Sequence, residues 1–353
     1  MPVLSELDDI VSAIRLAHER ATPLRIRGAG SKDFYGGLLA GEVLDVSGYR
    51  GIVAHEPTEL YITARCGTPL AEIEAVLAEQ GQMLAFEPPH FGGATLGGCI
   101  AAGLAGPRRQ QAGAVRDFVL GVKLADGTGQ VLDFGGQVMK NVAGYDVSRL
   151  IAGSLGTLGV IAEATLKVLP RPVAETTLVF ACDADESIRR LNEWGGQPLP
   201  VSASFWHDGQ LSLRLSGARA AVEAATRKLG AAAQPDAENF WLSIREQSHP
   251  AFASPLLWRV AVPSTASCLG LDGLRAIEWG GALRWYAGEP TAIRDAAARL
   301  GGHAVLYRAP ESLRCLEGAF APLSPALLAL HRRLKRAFDP KGILNPGRLY
   351  AEF

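Results

Sequence analysis

The sequence predicts a mixed helix-and-strand protein in two domains, the second an antiparallel sheet with helices packed on one face. Three observations carry this. The chain has 353 residues, more than one small core accommodates. Helix-like and strand-like runs alternate along it with no short repeat and no low-complexity segment. The double proline of Leu169-Pro170-Arg171-Pro172 marks the best boundary between the halves.

The elements follow in order. Leu7, Ile10, Val11, Ile14 and Ala17 recur at helical spacing, with Ser5 as N-cap, Asp8 three residues on, and Pro23 as the stop. Leu24–Arg27 reads as a strand, as do Val43–Val46 and Leu60–Ala64. Thr68 and Pro69 open a helix that presents Ile73, Val76 and Leu77 on one face and stops at Gly81. Between Pro88 and Gly113 the composition shifts to Gly and Ala. Strands resume at Phe118–Leu124, with Asp126-Gly127 supplying a tight hairpin, and again at Gly159–Val168.

Beyond the prolines, Thr177–Ala181 is a strand and Asp185–Trp194 a helix. Val201–Trp206 and Leu211–Leu215 make a hairpin about His207-Asp208-Gly209, and Ala218–Leu229 is a helix. Trp258–Val262, Ala282–Tyr286 and Ala304–Tyr307 are strands, with a helix over Thr291–Leu300. The basic run His331–Arg336 reads as the solvated face of a helix.

Bulk properties exclude several function classes. The formal net charge is −1 with both signs interspersed, so long-range attraction to nucleic acid or an anionic surface is not expected. No apolar run approaches the roughly 20 residues that cross a bilayer. The acidic N-terminus lacks a basic n-region and an apolar h-region. The expected location is cytoplasmic, or peripheral at the inner membrane through partners. Cys66, Cys99, Cys182, Cys268 and Cys315 are scattered, which disfavours disulfides and any iron–sulfur or zinc centre within this chain. An iron–sulfur route for electrons would need another chain.

Three segments carry chemistry. Gly28-Ala29-Gly30-Ser31 follows a strand directly, and its glycines let successive N–H groups approach an anion. It is not a Rossmann fingerprint, because position 33 holds Asp33. The run from Gly92 through Thr95, Gly97, Gly98, Gly103 and Gly106 to Gly113 surrenders core packing and chain entropy, which makes sense where backbone must lie against a large flat ligand. The third runs from Lys140-Asn141-Val142-Ala143-Gly144-Tyr145-Asp146 to Gly153–Ile161.

Together with the tail Phe338–Leu349, these segments resemble the FAD-binding domain of the p-cresol methylhydroxylase / vanillyl-alcohol oxidase superfamily. Within it, the chain looks most like the FAD-binding subunits of bacterial glycolate oxidases, near the D-lactate and D-2-hydroxyglutarate dehydrogenases. The resemblance implies an α+β fold in which two αβ subdomains clasp the FAD and a smaller α+β cap with an antiparallel sheet covers it. The implied domains are 1–170 for FAD binding, 171–325 for the cap, and 326–353 as a C-terminal segment returning to the first. Gly28, Ala29, Gly30 and Ser31 would face the pyrophosphate. Pro88, Thr95, Gly97, Gly98, Gly103, Gly106 and Gly113 would line the flavin's path, and Gly159, Val160 and Ile161 would hold the ring or adenine side.

Two departures from the superfamily matter. Covalent members attach flavin through His or Cys near these loops, whereas here Ser31 and Lys32 stand there. His90 reads as a polar loop residue and Cys99 as a packed small hydrophobe, so non-covalent FAD is expected. Relatives that oxidise 2-hydroxy acids carry a His-x-Gly-Asp-Gly-Asn-like metal segment in the cap. This cap has only His207, His249 and His303, far apart in sequence, and no metal is expected.

The resemblance therefore implies an FAD-bearing subunit of a complex that oxidises a small 2-hydroxy acid, glycolate to glyoxylate. A larger catalytic flavin subunit and an iron–sulfur subunit would be its partners. The alternative is a self-sufficient 2-hydroxy-acid dehydrogenase of D-lactate type, with Lys140, Tyr145 and Asn345 as the candidate catalytic residues.

Overall fold

The computed structural model describes residues 3–136, 146–288 and 290–353. The N-terminal half packs around two hydrophobic clusters. Helix α1 (Leu7–Arg20) buries Ile10, Val11, Ile14 and Ala17, and places Asp8 and Asp9 at its positive end and His18 and Arg20 at its negative end. Its N-cap residue is Glu6, whose side chain makes no capping bond, so Ser5 does not cap it. The helix covers a parallel pair, β1 (Leu24–Arg27) and β2 (Glu42–Asp45), to which the tail adds a parallel bridge between Leu24 and Leu344.

The second cluster lies under a five-stranded antiparallel sheet. Its strands are β3 (Ile52–Glu56), β4 (Tyr61–Arg65), β6 (Val119–Ala125), β7 (Val131–Gly135) and β8 (Val160–Lys167), in the order β3-β4-β8-β6-β7. Helices α2 (Leu70–Glu79) and α3 (Leu96–Ala102) cover one face, burying Ile73, Leu77, Cys99 and Ile100 against Ile62, Ala164 and Leu166. Thr68 does not cap α2. Its hydroxyl donates to the Arg65 carbonyl at 2.6 Å and accepts from the Gly51 N–H at 2.8 Å, fastening two loops instead. The β6–β7 hairpin forms through a longer turn than expected, gathered by Asp126, whose carboxylate accepts from Thr128 and Gln130; Gly129, not Gly127, takes the left-handed conformation. The short strands β5 (Gln82–Met83) and β9 (Leu169–Pro170) pair just before the chain leaves this half.

The remaining strands form an eight-stranded antiparallel sheet: β10 (Ala174–Ala181), β11 (Val201–His207), β12 (Gln210–Gly217), β13 (Ala232–Ala233), β14 (Leu257–Ala261), β15 (Leu274–Glu278), β16 (Leu283–Tyr286) and β17 (His303–Arg308). Their order is β13-β10-β12-β11-β15-β16-β14-β17. Strand alternation splits the side chains cleanly. Trp206, Ile277, Tyr286 and Leu306 meet α6 (Ala184–Gly195), α7 (Arg219–Leu229) and α9 (Pro290–Arg299) on one face. Phe205, Ala276, Trp285 and Tyr307 point the other way.

The second face is covered too, which the sequence pattern did not foresee. Trp241 and Ile244 of α8 (Ala237–Arg245) lie there, together with Tyr35, Ala102, Leu104 and Leu155 of the N-terminal half. The contact between halves is also ionic. Glu87 accepts from the Arg108 backbone N–H at 2.8 Å and from Arg214 of β12 at 2.8 Å, while Arg108 reaches Glu175 of β10 at 2.7 Å. Burial pushes the Glu87 carboxyl up, but Arg214 and Arg108 outweigh it and hold the group below its ordinary value.

The last helix, Pro325–Phe338, starts at Ser324, whose hydroxyl accepts from the Leu327 N–H, with Pro325 at the first position. Most of the basic run is on its solvated side, as expected. Lys335 is the exception: it is buried, because it ties the helix to the body of the protein.

Candidate functional site: a groove between two glycine loops

β1 ends at Arg27 and the chain turns through Gly28–Ser31 directly opposite the start of α3. Thr95 caps α3, its hydroxyl accepting from the Gly98 N–H at 3.4 Å. Between them runs a groove of about 830 Å³, open at its mouth, whose floor includes Gly159, Val160 and Ile161 at the start of β8. The glycines permit this close approach. A Cβ on Gly28 would stand 2.4 Å from Thr95 Oγ1, and one on Gly97 would stand 2.7 Å from the Cys66 Cβ.

The groove's polar character suits a diphosphate. The N–H groups of Ala29, Gly30, Ser31 and Lys32 donate to no acceptor among the described residues, leaving a row of donors along the turn. Arg25, Arg27, Lys32 and Arg348 line the same space against one carboxylate, Asp33, which pairs with Arg25. Burial lowers the Lys32 ammonium, opposed by the charge of Glu246. A pyrophosphate here would meet unsatisfied N–H groups and surplus positive charge together. Its fit rests on those donors and on the two glycines that a methyl group would block.

The structure brings Gly28, Ala29, Gly30, Ser31, Thr95, Gly97, Gly98, Gly159, Val160 and Ile161 to this groove. Pro88, Gly103, Gly106 and Gly113 lie outside its lining, and local packing accounts for the three glycines. Gly103 ends α3 in the left-handed conformation against Gly153, and a Cβ on Gly106 would stand 2.4 Å from the Glu87 carbonyl. Gly113 adopts φ 107° beside Asp117. Of the candidate catalytic residues, Lys140 and Tyr145 fall outside the described residues. Asn345 reaches the groove, but both ends of its amide are engaged: Oδ1 accepts from the Ile26 N–H at 2.7 Å and Nδ2 donates to the Leu155 carbonyl at 2.6 Å. It positions the groove's wall.

Sequence reasoning passed over Arg25, Lys32 and Arg348. The signal was there, as cations beside the glycine loop and after Asn345-Pro346-Gly347. Arg348 donates to the carbonyls of Gly37, Tyr35 and Lys32 and so pins the loop from the tail.

Burial drives the Cys99 thiol up to about 12, and the His90 ring faces Glu74 at 3.2 Å. In the cap, the His207 and His249 rings, distant in sequence, stand perpendicular with centroids 5.2 Å apart; His207 Nδ1 bonds the Arg275 carbonyl and His249 Nδ1 accepts from the Ala251 N–H.

Residues 3–135 match the FAD binding domain family, and residues 321–349 match the C-terminal domain of FAD linked oxidases. A solved structure of alkyldihydroxyacetonephosphate synthase shares the fold, with a TM-score of 0.68 at 16% identity over 98% of this chain and 75% of that one. Fold, groove and family matches together define an FAD-linked oxidoreductase of the p-cresol methylhydroxylase type, with FAD as its cofactor. Glycolate oxidase subunit GlcE of Escherichia coli K12 is 48% identical over 347 residues, 97% of each chain, and this chain belongs to its family. Glycolate oxidase subunit GlcD of Bacillus subtilis is 30% identical over 49% of this chain and 37% of its own length. A D-lactate dehydrogenase of Archaeoglobus fulgidus is 28% identical over 61% of this chain and 49% of its own.

Proposed function

We propose that this chain is the FAD-bearing subunit of a glycolate oxidase-type complex, in which a 2-hydroxy acid, glycolate, loses two electrons and two protons to become glyoxylate. A larger catalytic flavin subunit and an iron–sulfur subunit are its partners, the latter passing the electrons onward. The observation that carries this is identity to a glycolate oxidase subunit along nearly the whole of both chains, whereas the dehydrogenase likeness covers about half of its relative.

When bound, FAD supplies a two-electron acceptor. The chain's own residues do the rest. The Ala29–Lys32 donors and the cations Arg25, Arg27 and Arg348 hold the diphosphate, the glycines of α3 let the cofactor lie against backbone, and Asn345 fixes the groove's wall. The FAD is held non-covalently. We assign 1–170 to FAD binding, 171–325 to the cap and 326–353 to a segment that completes the first unit. Among the described residues no helix is long and apolar enough to cross a membrane. The protein works in the cytoplasm, meeting the inner membrane through its partners.

Co-purification from the native host, with identification of bound chains and cofactors, tests the assembly. Anaerobic glycolate at millimolar concentration should bleach the flavin band near 450 nm in the assembled complex and leave it essentially unbleached over minutes in the lone chain. Rapid bleaching of the lone chain would favour the self-sufficient dehydrogenase.

A further inference from the structure

The apolar stripe of the last helix extends past the core that holds it. Leu327, Leu330, Leu334 and Phe338 recur at i, i+3, i+7 and i+11 and so share one side of the helix. Leu334 and Phe338 pack against the cluster under the five-stranded sheet, whereas Leu327 and Leu330 are 49% and 50% exposed. Leucines left in water in register with a packed stripe mark a contact surface. Its border is cationic. Arg333 lies three residues beyond Leu330 and therefore beside it on the helix surface, and Arg332 and Arg336 follow further round. All three are exposed, and none makes an ion pair among the described residues, the nearby Asp339 being taken by Lys335. A surface apolar at its centre and positive at its edge fits a protein face whose apolar groups are ringed by carboxylates. It does not suit a two-fold contact with a second copy, which would set arginine against arginine.

A separate observation indicates the kind of partner. His331, four residues after Leu327 and so on the same side of the helix, has its ring centroid 6.2 Å from that of Tyr350. Tyr350 is 6.1 Å from Phe320, and Phe320 is 5.7 Å from Tyr35. Tyr35 belongs to the loop that continues from the flavin groove, and Arg348, which lines the groove, donates to its carbonyl. A ladder of neighbouring rings therefore runs from the back of the groove to the leucine stripe. A filled path of conjugated rings carries an electron more readily than an equal span of water.

We infer that the Leu327–Leu330 face of the last helix is the docking surface for the subunit that takes electrons from the flavin. That partner is a protein that carries an iron–sulfur cluster and meets the stripe with apolar side chains edged by carboxylates. Its cluster is the oxidant, accepting the two electrons of the reduced flavin one at a time, and the flavin's protons pass to water. The iron–sulfur partner rests on the function proposed above; the place of the contact rests on the helix alone.

The test is capture of the tagged full chain from its native host, with iron and acid-labile sulfide counted per tagged chain. The double variant Leu327→Asp, Leu330→Asp should carry about a tenth of the wild-type iron or less, and Arg333→Glu severalfold less than wild type. Leu16→Asp, which puts the same charge on a similarly exposed leucine of α1, should carry the wild-type amount. Expressed alone, every variant should keep the wild-type ratio of flavin to protein absorbance, because none of these residues lines the groove. Iron retained in full by the double variant would overturn the docking surface and leave the complex standing. No iron with the wild-type chain would count against the complex itself and take this inference with it. Self-association in sedimentation, or binding to phosphatidylglycerol vesicles, that the double variant abolishes would give the stripe to another occupant and overturn the inference as well.

Discussion

The Lys335 ammonium stands 2.6 Å from the Asp339 carboxylate one helical turn away, and both side chains are buried. Lys335 also donates to the carbonyls of Thr157 and Leu344, each at 2.8 Å, and Asp339 accepts from the backbone N–H groups of Ile343 and Leu344. The pair thus ties the last helix to the segment that carries Asn345 and to the loop before β8. Lys335→Met leaves Asp339 buried without its counter-charge. Removing one partner of such a pair costs about 3–5 kcal/mol. Denaturant unfolding should show a loss of that size; a change below about 1 kcal/mol would mean that the pair is solvated.

Two adjacent glycines of α3 should behave differently. A methyl on Gly98 meets only Thr95 Oγ1, at 3.3 Å, and otherwise opens into the groove. Gly98→Ala should therefore leave the stability of the FAD-free protein within about 1 kcal/mol, helped by alanine's helix propensity, while reducing FAD retention. Gly97→Ala drives a methyl to 2.7 Å from Cys66 Cβ and should cost about 1–3 kcal/mol by overpacking. Unfolding of apo-protein and the flavin-to-protein absorbance ratio separate the two effects.

Acid precipitation should release all of the flavin into the supernatant. The Cys99 thiol, pushed up to about 12 by burial, supplies almost no thiolate at neutral pH, and His90 is turned to Glu74. Yellow colour remaining in the pellet would establish a covalent link.

Glu278 gives a pH dependence of definite sign. Its carboxyl titrates at about 7 in the folded protein, chiefly through burial, against roughly 4.3 when unfolded. Below the lower value both states hold the proton and nothing is lost. As pH rises from there to 7, the unfolded chain gives up its proton while the folded protein keeps it, so stability falls by roughly 4 kcal/mol and then levels. Glu278→Gln cannot ionise and should lose this slope, becoming more stable than wild type at pH 8 but not at pH 4. Parallel slopes in denaturation midpoints across that range would remove Glu278 as the cause.

Much of the architecture was legible in the sequence because it is written in local periodicity. The His207-Asp208-Gly209 turn is an instance: Asp208 and Gly209 both take positive φ, at 46° and 76°, as a tight hairpin demands. Features that depend on what lies across space were not legible. The hydroxyl of Thr68 donates to the Arg65 carbonyl and accepts from the Gly51 N–H, and only the tertiary position of Gly51 provides that second bond. Glycine content led to residues that line the groove as far as Gly98. It could not distinguish Gly106, which is small because the Glu87 carbonyl lies against it, from a glycine that faces a ligand. Lys335 sits in a basic run, and nothing local marks it as the one turned inward.

The hydrogen bond from the Ile26 N–H to Asn345 Oδ1 spans 319 positions of the chain. With Arg348 beside it, the groove's wall is assembled from the first strand and from residues far downstream of it in the chain. Cofactor capture therefore waits for the Asn345–Arg348 segment: a chain made only as far as the cap has the glycine loop but not the clasp behind it. Closing so long a loop is slow compared with forming the local hairpins of the cap. Refolding should accordingly show sheet signal first and flavin fluorescence quenching later, and the interval between them is when the open groove is exposed to proteolysis.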